Sequence, residues 1–264
     1  MTKFTKAHAC GNDFLIVEGT ADAPLATRLC ARNTGVGADG VEFFEWTGER
    51  TGRIHLINAD GSVAEISGNG TRCVAAWMAY QKKLGAGETV RIQTDAGMRE
   101  SRVIKVEGRR FEFAQGMGVP EIADMVVKLA DRTEVAGTAV STGNPHFVIF
   151  VDGPEFTVNG RGWQELGREI CFYPDFTEQT NVEFVRVTGT NAIEIRIFER
   201  GVGPTSSSGT GTCATATAAI SRRGLQSPLQ VQAPGGEQRV DWAGDGAEIT
   251  LTGPAELIAN GEAW

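Results

Sequence analysis

The chain has 264 residues, 41% of them apolar, which is enough for one large domain or two medium domains with a sizeable core. Acidic residues outnumber basic ones by 33 to 25, and this balance argues against a nucleic acid or an anionic membrane as the partner. No apolar run is long enough to span a bilayer, and residues 1–6 do not begin a hydrophobic signal segment, so we expect a cytoplasmic protein.

Short strands dominate the predicted secondary structure. In the first half, apolar or alternating residues predict a short helix at 25–31 and strands at 3–9, 14–17, 41–44, 53–58, 90–94, 99–104 and 110–113. In the second half they predict a helix at 163–170 and strands at 181–187, 193–198, 229–233, 238–242 and 247–251. Each half also contains one apolar helix, the first ending near Lys83 and the second running from Thr212 to about Arg222.

One phrase, Ser-Gly-x-Gly-Thr, occurs at 67–71 and again at 208–212, an offset of 208 − 67 = 141 residues. A serine before small residues and an apolar run is typical of a helix N-terminus. The free backbone N–H groups and the positive dipole end at such a terminus suit a carboxylate or a phosphate. Two copies therefore suggest one ligand held between two equivalent halves.

The order of features is the same in both halves. A Gly-Asn turn at 11–12 precedes a strand and then the first Ser-Gly-x-Gly helix, and a second Gly-Asn turn at 143–144 opens the same sequence of elements. This order indicates an internal duplication. The Gly- and Pro-containing segment 116–120 is the best candidate for a boundary, so we predict domains at 1–117 and 118–264. The last strand is a candidate to return to the first domain.

Metal and disulfide chemistry have little support in the sequence. The five cysteines are odd in number and widely spaced, without a Cys-x-x-Cys pair, and only three histidines are present. A disulfide framework, a structural zinc site and a histidine-based metal site are therefore not expected. Cys73 and Cys213 lie five or six residues into the two apolar helices, where small buried residues are the simpler interpretation.

Several separated motifs resemble the diaminopimelate epimerase family, with proline racemases as distant relatives. The matching segments lie at 11–14, 58–62, 68–75, 143–146, 180–185, 199–203 and 209–211. The resemblance implies an α+β fold of two pseudo-symmetric domains, each a set of mostly antiparallel strands wrapped around a central apolar helix. It places the substrate in a cleft between the domains. It also implies a cytoplasmic, usually dimeric enzyme of lysine biosynthesis that uses no cofactor.

In that family, two cysteines at the helix starts exchange the α-hydrogen of the amino acid, one as thiolate and one as thiol. The resemblance maps those two positions onto Ser67 and Ser208. A thiol is easily shifted to carry a thiolate at neutral pH, whereas an alcohol becomes a base only with help from a neighbour. The motifs offer His146 and Glu199 as such neighbours, so we assign the candidate catalytic set Ser67, Ser208, His146 and Glu199. Capping of the two helices is an additional interpretation of both serines.

The same comparison implies a set of substrate-binding residues. Arg200 offers a fork for a carboxylate, and Glu199 beside it could pair with an ammonium group. The complete predicted set is Asn12, Asn58, Gly68, Asn69, Asn144, Asn181, Glu199, Arg200, Gly209 and Thr210. Gly40 stands where some family members have a glutamine that contacts substrate, so we expect no such contact from this position.

Three functions stay open at this point. The first is an isomerase that interconverts LL- and meso-diaminopimelate, or a related amino acid, by cofactor-independent α-proton transfer. The second is a dehydratase or isomerase acting on another small acid, a chemistry that does not require a matched pair of thiols. The third is a non-catalytic protein that binds an amino acid. In each case the predicted partner is a small carboxylate-bearing molecule, and we expect a homodimer.

Overall fold

The computed structural model describes residues 1–64 and 66–264, so Glu65, just before the first Ser-Gly-x-Gly phrase, lies outside the described residues. The chain divides into two compact units. Unit 1 consists of residues 1–116 and 252–264, and unit 2 consists of residues 117–251. Each unit is β-rich.

The elements of the first half are β1 Thr2–Ala9, β2 Asn12–Glu18, α1 Ala23–Cys30, β3 Gly40–Trp46, β4 Thr51–Asn58, β5 Val63–Ala64, α2 Gly68–Lys82, β6 Thr89–Thr94, β7 Gly97–Glu107 and β8 Arg110–Gly116. The second half contains β9 Glu121–Lys128, β10 Glu134–Ser141, β11 Pro145–Phe150, β12 Thr157–Val158, β13 Arg161–Gly162, α3 Trp163–Cys171, β14 Asn181–Gly189, β15 Ala192–Glu199, β16 Gly203–Thr205, α4 Gly209–Arg223, β17 Leu229–Ala233, β18 Gly236–Asp241 and β19 Thr250–Ala263.

Unit 1 contains a closed ring of eight strands. The hydrogen-bonded order is β1, β2, β3, β4, β6, β7, β8 and β19, and β19 pairs back to β1. The pairs β2/β3 and β4/β6 are parallel, and the other pairs with a known register are antiparallel. Helix α2 packs against β1, β2, β6, β7 and β8. Closing the ring leaves no unpaired edge among these strands.

Unit 2 repeats this arrangement. Its strands follow the order β9, β10, β11, β14, β15, β17 and β18, with parallel pairs at β11/β14 and β15/β17 and antiparallel pairs elsewhere. Helix α4 packs against β10, β11, β14, β15, β17 and β18. In both units, two parallel pairs lie in corresponding places within an otherwise antiparallel sheet. The prediction of a mostly antiparallel α+β chain with two β-rich halves is confirmed.

Helices α2 and α4 have matching ends and are extensively buried. Each begins after a serine N-cap and is followed by a residue with a left-handed backbone conformation, Lys83 after α2 and Gly224 after α4. Residues 69–79 of α2 are buried, as are nearly all residues of 209–219 in α4. In α4 most of these positions are alanine or threonine, and their small side chains let the surrounding strands approach closely. Helix α2 also buries the larger Arg72, Trp77 and Met78. Helix α4 starts at Gly209, three residues earlier than predicted.

The sequence missed several strands. Strands β9 and β10 lie in a segment for which no element was predicted. Strand β9 is mostly exposed, so it lacks the regular apolar alternation that marks a half-buried strand. The predicted strand at 247–251 is wrong in extent, because the strand there begins at Thr250 and continues for 14 residues. Among residues 1–64 and 66–264, no helix has the length and apolar character needed to cross a membrane.

We predict that α2 contributes to stability through its buried face. Met78 is 0% exposed, so Met78→Ala should lower the free energy of unfolding by about 2–5 kcal/mol. Tyr80 on the same helix is 44% exposed, and Tyr80→Ala should change it by only about 0.5 kcal/mol. Urea unfolding of both variants measures the difference; equal losses would show that this face of α2 is not part of the core.

Candidate functional site

In unit 1 the first Ser-Gly-x-Gly phrase forms a capped helix N-terminus. Ser67 has an extended backbone, and its Oγ accepts a hydrogen bond of 3.1 Å from the Gly70 N–H. Helix α2 therefore begins at Gly68, directly after this cap. This geometry confirms the capping interpretation of Ser67 and leaves its catalytic role a prediction.

Two predicted binding residues, Asn12 and Asn69, contact each other beside this N-terminus. Asn69 Nδ2 donates to Asn12 Oδ1 over 3.2 Å, and Asn12 Nδ2 donates to Asp39 Oδ2 over 2.6 Å. Asp39 also receives a hydrogen bond of 2.6 Å from Arg32. Hydrogen bonds that lead to the charged side chains of Asp39 and Arg32 thus fix the direction of both amide groups.

Asn58 is held within its own turn. Its Nδ2 donates to Ser62 Oγ over 3.0 Å, and its backbone N–H donates to the Ser62 carbonyl over 2.9 Å. Asp60 completes the turn by accepting from the Ser62 N–H and hydroxyl. Asn58 pairs with Gly40 in the β3/β4 ladder, so it stands at the end of β4 near the start of β3. Its binding role stays a prediction.

A buried carboxylate, Glu42 on β3, lies against the first turn of α2. A Cβ atom placed on Gly70 would lie 2.0 Å from Glu42 Oε1, so only glycine fits there without displacing the carboxylate. Glu42 is 0% exposed, and neither carboxylate oxygen has a hydrogen-bond partner among the described residues. Burial away from water, with a smaller repulsion from Asp95, raises the pKa of Glu42 to about 8.

Unit 2 presents the second capped N-terminus. Ser208 Oγ accepts a hydrogen bond of 3.2 Å from the Gly211 N–H and lies 3.4 Å from Thr210 Oγ1. Asn144 reaches the same place from the start of β11, donating through Nδ2 to Thr210 Oγ1 over 3.3 Å. The structure therefore brings together Ser208, Thr210 and Asn144, three of the predicted site residues.

His146 continues this network into the core. Its Nε2 lies 3.0 Å from Asn144 Oδ1, and its Nδ1 lies 2.7 Å from Glu183 Oε1 on the neighbouring strand β14. Both side chains of the His146–Glu183 pair are 0% exposed. Each of these groups would be costly to bury without a polar partner, and the hydrogen bond between them offsets that cost.

Glu199 and Arg200 stand at the end of β15 in the same unit. Burial raises the pKa of Glu199 to about 7, although attraction to His146 opposes the shift. The Arg200 backbone N–H donates to Asn181 Oδ1 over 2.9 Å, and its guanidinium donates to the Glu178 carbonyl over 2.8 Å. Asn181 is anchored in turn by donating to the Pro145 carbonyl. A carboxyl with a pKa near 7 can accept or release a proton at neutral pH.

An open cavity of about 350 Å³ adjoins these residues in unit 2. Its lining includes Asn144, Pro145, Asp175, Glu178 and Gln179. Asn144 thus belongs both to the hydrogen-bond network of Ser208 and to a cavity wall, which is consistent with its predicted contact with a ligand.

None of the cysteines is a candidate to replace the two thiols that the family resemblance implies at positions 67 and 208. All five are buried. Burial raises the pKa of the Cys73 thiol far above its ordinary value and that of Cys30 to about 11. A buried thiol of this kind does not supply a thiolate at neutral pH. Among the described residues, no three His, Cys, Asp or Glu side chains are grouped so as to hold a metal ion.

Sequence reasoning missed Glu42 and Glu183 as site residues. Both lie in the tripeptide Val-Glu-Phe, at 41–43 and 182–184, and 183 − 42 = 141 is the same offset that relates Ser67 to Ser208. This second repeat was a usable signal. Both glutamates face the glycine of the helix first turn, since a Cβ on Gly211 would lie 2.8 Å from Glu183 Oε1.

Comparison with solved structures defines the class of fold. A Bacillus anthracis phenazine biosynthesis protein of the PhzF family superposes with a TM-score of 0.72 at 14% identity, covering 100% of this chain and 99% of that one. A hydroxyproline epimerase from Agrobacterium vitis superposes with a TM-score of 0.71 at 16% identity, covering 98% and 91%. At these identities the likeness establishes the fold alone.

Comparison of sequences establishes the family. The diaminopimelate epimerase family model matches residues 4–122 and 138–258. Diaminopimelate epimerase from Desulforudis audaxviator is 34% identical over 279 residues, covering 98% of each chain. The enzyme from Xanthomonas euvesicatoria is 35% identical over 280 residues, covering 98% of this chain and 95% of the relative. The chain belongs to the diaminopimelate epimerase family, and this membership supports an epimerase function.

The buried Glu42 generates a prediction about stability and pH. The native state keeps this proton up to about pH 8, whereas the unfolded chain releases it near its ordinary pKa of 4.5. Between those values the native state binds more protons, so stability should fall as pH rises, by up to about 1.4 kcal/mol per pH unit. Glu42→Gln should remove this dependence and be more stable than the native protein at pH 8.

Urea unfolding at pH 5, 6.5 and 8 measures the effect. Glu45→Gln on the same strand is the control, because Glu45 is exposed and its removal should leave the pH dependence as in the native protein. If Glu42→Gln and the native protein lose stability in parallel across this range, then Glu42 is not protonated in the folded state.

Proposed function

We propose that this protein is an epimerase that interconverts LL- and meso-diaminopimelate by α-proton transfer. The observation that carries the proposal is the alignment of the chain with curated diaminopimelate epimerases over 98–99% of its length at 34% identity. Lysine biosynthesis is the corresponding process, and the names of these relatives are the basis for this substrate.

The geometry of unit 2 supports recognition of an amino acid. The carboxyl of Glu199 can pair with an ammonium group, and the neighbouring Arg200 carries a guanidinium. The backbone N–H of Arg200 is held by a hydrogen bond to Asn181. The first turns of α2 and α4 supply backbone N–H groups at Gly68, Asn69, Gly209 and Thr210, which suit a carboxylate. We assign these residues, with Asn12, Asn58 and Asn144, to substrate binding.

The serines require a different acid–base chemistry from a pair of thiols. We propose that Glu199 acts as a base in unit 2, because its pKa of about 7 lets it accept a proton at neutral pH. Attraction to His146 favours the ionised form of Glu199, which is the form that accepts a proton. Ser67 is the candidate to return a hydrogen to the substrate carbon, and Ser208 contacts the substrate at the start of α4.

Several further expectations accompany this proposal. We propose that the enzyme needs no cofactor, is cytoplasmic and forms a homodimer, as the family resemblance implies. We also retain the interpretation that each unit descends from one duplicated segment with its apolar helix at the centre. The common 141-residue offset of the serines and the buried glutamates supports the duplication.

A second candidate is an isomerase or dehydratase that acts on another small acid. The observation favouring it is the chemistry of the unit 2 site, where the titratable groups are a carboxyl and an imidazole instead of thiols. Elimination or isomerisation by such groups needs no matched thiol pair. A purely binding protein is the third possibility, and it requires ligand-dependent stabilisation without turnover.

The central prediction concerns α-hydrogen exchange. The native protein should incorporate deuterium from deuterated water into both LL- and meso-diaminopimelate, as measured by mass spectrometry. The double variant Ser67→Cys/Ser208→Cys should exchange faster, by about 100-fold or more, because a thiol is far more acidic than an alcohol. Ser206→Cys is the matched control, since it adds an exposed thiol in the same segment without altering the helix cap.

The outcomes separate the candidates. Exchange in the double variant alone would show that the scaffold binds diaminopimelate and that the native serine protein catalyses another reaction. Thermal stabilisation by meso-diaminopimelate without exchange in either protein would support the binding function. No exchange and no stabilisation would exclude diaminopimelate as the ligand.

A further prediction assigns the base. If Glu199 accepts the α-hydrogen, kcat/KM should rise with pH and level off above about pH 7, where the carboxyl is ionised. Glu199→Gln should lower kcat/KM by about 100-fold or more and abolish this pH-dependent rise. Glu194 lies on the same strand as Glu199 and pairs with Arg186 on β14, so Glu194→Gln should leave the profile unchanged. An unchanged profile in Glu199→Gln would reassign the base.

A further inference from the structure

Glu42 lies on the face of β3 that packs against helix α2. The residues opposite it on the neighbouring strands are Ile16 on β2 and Leu56 on β4, and both belong to the apolar core around α2. Helix α1 packs on the other face of β3, where Val41 and Phe43 lie. The carboxyl of Glu42 therefore has apolar side chains on either side of it in the sheet.

This carboxyl enters the first turn of α2. A Cβ atom on Gly70 would lie 2.0 Å from Glu42 Oε1 and 3.2 Å from Ser67 Cβ, so the carboxyl stands in the turn that Ser67 caps. The Gly70 N–H donates to Ser67 Oγ, and the Thr71 N–H donates to the Ser67 carbonyl. Neither oxygen of Glu42 has a hydrogen-bond partner in this turn or elsewhere in the described part of the chain.

These surroundings hold Glu42 as a neutral acid. An ionised carboxylate without a hydrogen-bond donor is costly to bury, so the group keeps its proton. Asp95 is the charged group that acts on Glu42, and its repulsion favours the same neutral form. The titratable residues next to Gly70 on α2 are Cys73, whose thiol burial keeps neutral, and Arg72, whose guanidinium donates to the side chain of Asn69.

The corresponding carboxyl of unit 2 has a partner. Glu183 Oε1 lies 2.7 Å from His146 Nδ1. At the place of His146 after the Gly-Asn turn, unit 1 has Phe14, whose side chain offers neither a donor nor an acceptor. Among the described residues, a glutamate with both oxygens unpartnered beneath a helix start is thus particular to unit 1. Packing against the helix, which both glutamates share, does not account for it.

The protonation of Glu42 sets the charge at the start of α2. The ligand carboxylate is assigned to the N–H groups of Gly68 and Asn69, in the turn that the Glu42 carboxyl enters. The positive end of a helix favours a negative charge at this place. A second negative charge in the same turn repels the first strongly, because little water separates the two.

We propose that Glu42 is a specificity-determining residue of the unit 1 site: as a neutral acid it leaves the N-terminus of α2 to a carboxylate of the ligand, and its ionised form excludes that carboxylate. The chemical change is the loss of one proton from Glu42 to solvent. This assignment deepens the proposed function and rests on it for the identity of the ligand. By linkage, a carboxylate bound at this turn holds the proton on Glu42.

Binding of meso-diaminopimelate at pH 6.5 and pH 9, measured by isothermal titration calorimetry, tests the assignment. Glu42→Gln keeps the shape of the side chain but cannot ionise. Since the pKa of Glu42 is about 8, roughly one-tenth of the native molecules keep the proton at pH 9. The affinity of the native protein relative to Glu42→Gln should therefore fall about tenfold between the two pH values.

The ratio of the two affinities cancels the titration of the ligand and of Glu199, which both proteins share. Glu45→Gln, which removes an exposed carboxylate from the same strand, should follow the native protein. Glu42→Met, which cannot ionise either, takes the place of Glu42→Gln if that variant does not fold. A ratio that is the same at pH 6.5 and pH 9 would overturn the proposal.

The diamide of meso-diaminopimelate separates charge from packing, because it has a similar shape and no carboxylate. We expect it either not to bind or to bind with the same native-to-variant ratio at both pH values. A loss of diamide binding at pH 9 in the native protein alone, as large as that for diaminopimelate, would point to a change of shape in α2 and overturn the proposal.

Infrared spectroscopy gives a readout that needs no ligand. The carbonyl band of a neutral, buried carboxylic acid should be present in the native protein at pH 6.5, disappear near pH 8 and be missing from Glu42→Gln at pH 6.5. Adding meso-diaminopimelate should move the midpoint of this titration to higher pH. Native and Glu42→Gln spectra that show the same acid bands at pH 6.5 would overturn the assignment.

Failure of the proposed function is recognised separately. If meso-diaminopimelate binds none of these proteins at either pH, the proposed substrate is wrong, and inorganic phosphate then serves as the anionic probe for the same comparison. A tenfold fall in the native-to-variant ratio with phosphate would keep the role of Glu42. No phosphate binding, or an unchanged ratio, would overturn it.

Discussion

The contact between a buried strand carboxylate and a glycine in the first turn of a helix underlies both units. Glu42 lies against Gly70 and Glu183 against Gly211, so close that a side chain at either glycine would collide with a carboxylate oxygen. This contact explains the second glycine of the repeated Ser-Gly-x-Gly phrase. The serine caps the helix, and the glycine lets β3 or β14 pass beneath its first turn. The helix starts are therefore positioned by the strands below them.

The two units keep this framework while differing in their chemistry. In unit 2 the glutamate lies 2.7 Å from His146 Nδ1, so this buried carboxyl has a hydrogen-bond partner. In unit 1 the glutamate has no imidazole beside it, and its burial keeps it protonated at neutral pH. Two copies of a duplicated fold can diverge in this way, because packing fixes the shape of a buried side chain but not its hydrogen-bond partner.

Much of the fold follows from local patterns in the chain. The alternating segments at β14 and β15, the Ala-rich helices α2 and α4 and their serine caps are all recognisable because each depends on residues near in sequence. Strands β9 and β10 are not recognisable in this way, because β9 exposes most of its residues and is held in the sheet by pairing with β10. Only the start of the long β19 was predicted, since its pairing with β1 joins the two ends of the chain.

The sequence by itself determined the family, the two similar halves and the presence of serine at both positions where the family resemblance implies thiols. Only the tertiary structure decided which groups support those serines. Glu183 and His146 are 37 residues apart and become partners because β11 and β14 pair in parallel, with His146 opposite Asn181. The direction of a hydrogen-bond network depends on every donor and acceptor along it, and these residues come from separate strands and a helix. No local pattern records that arrangement, because residues from separate strands come together only when the sheet forms.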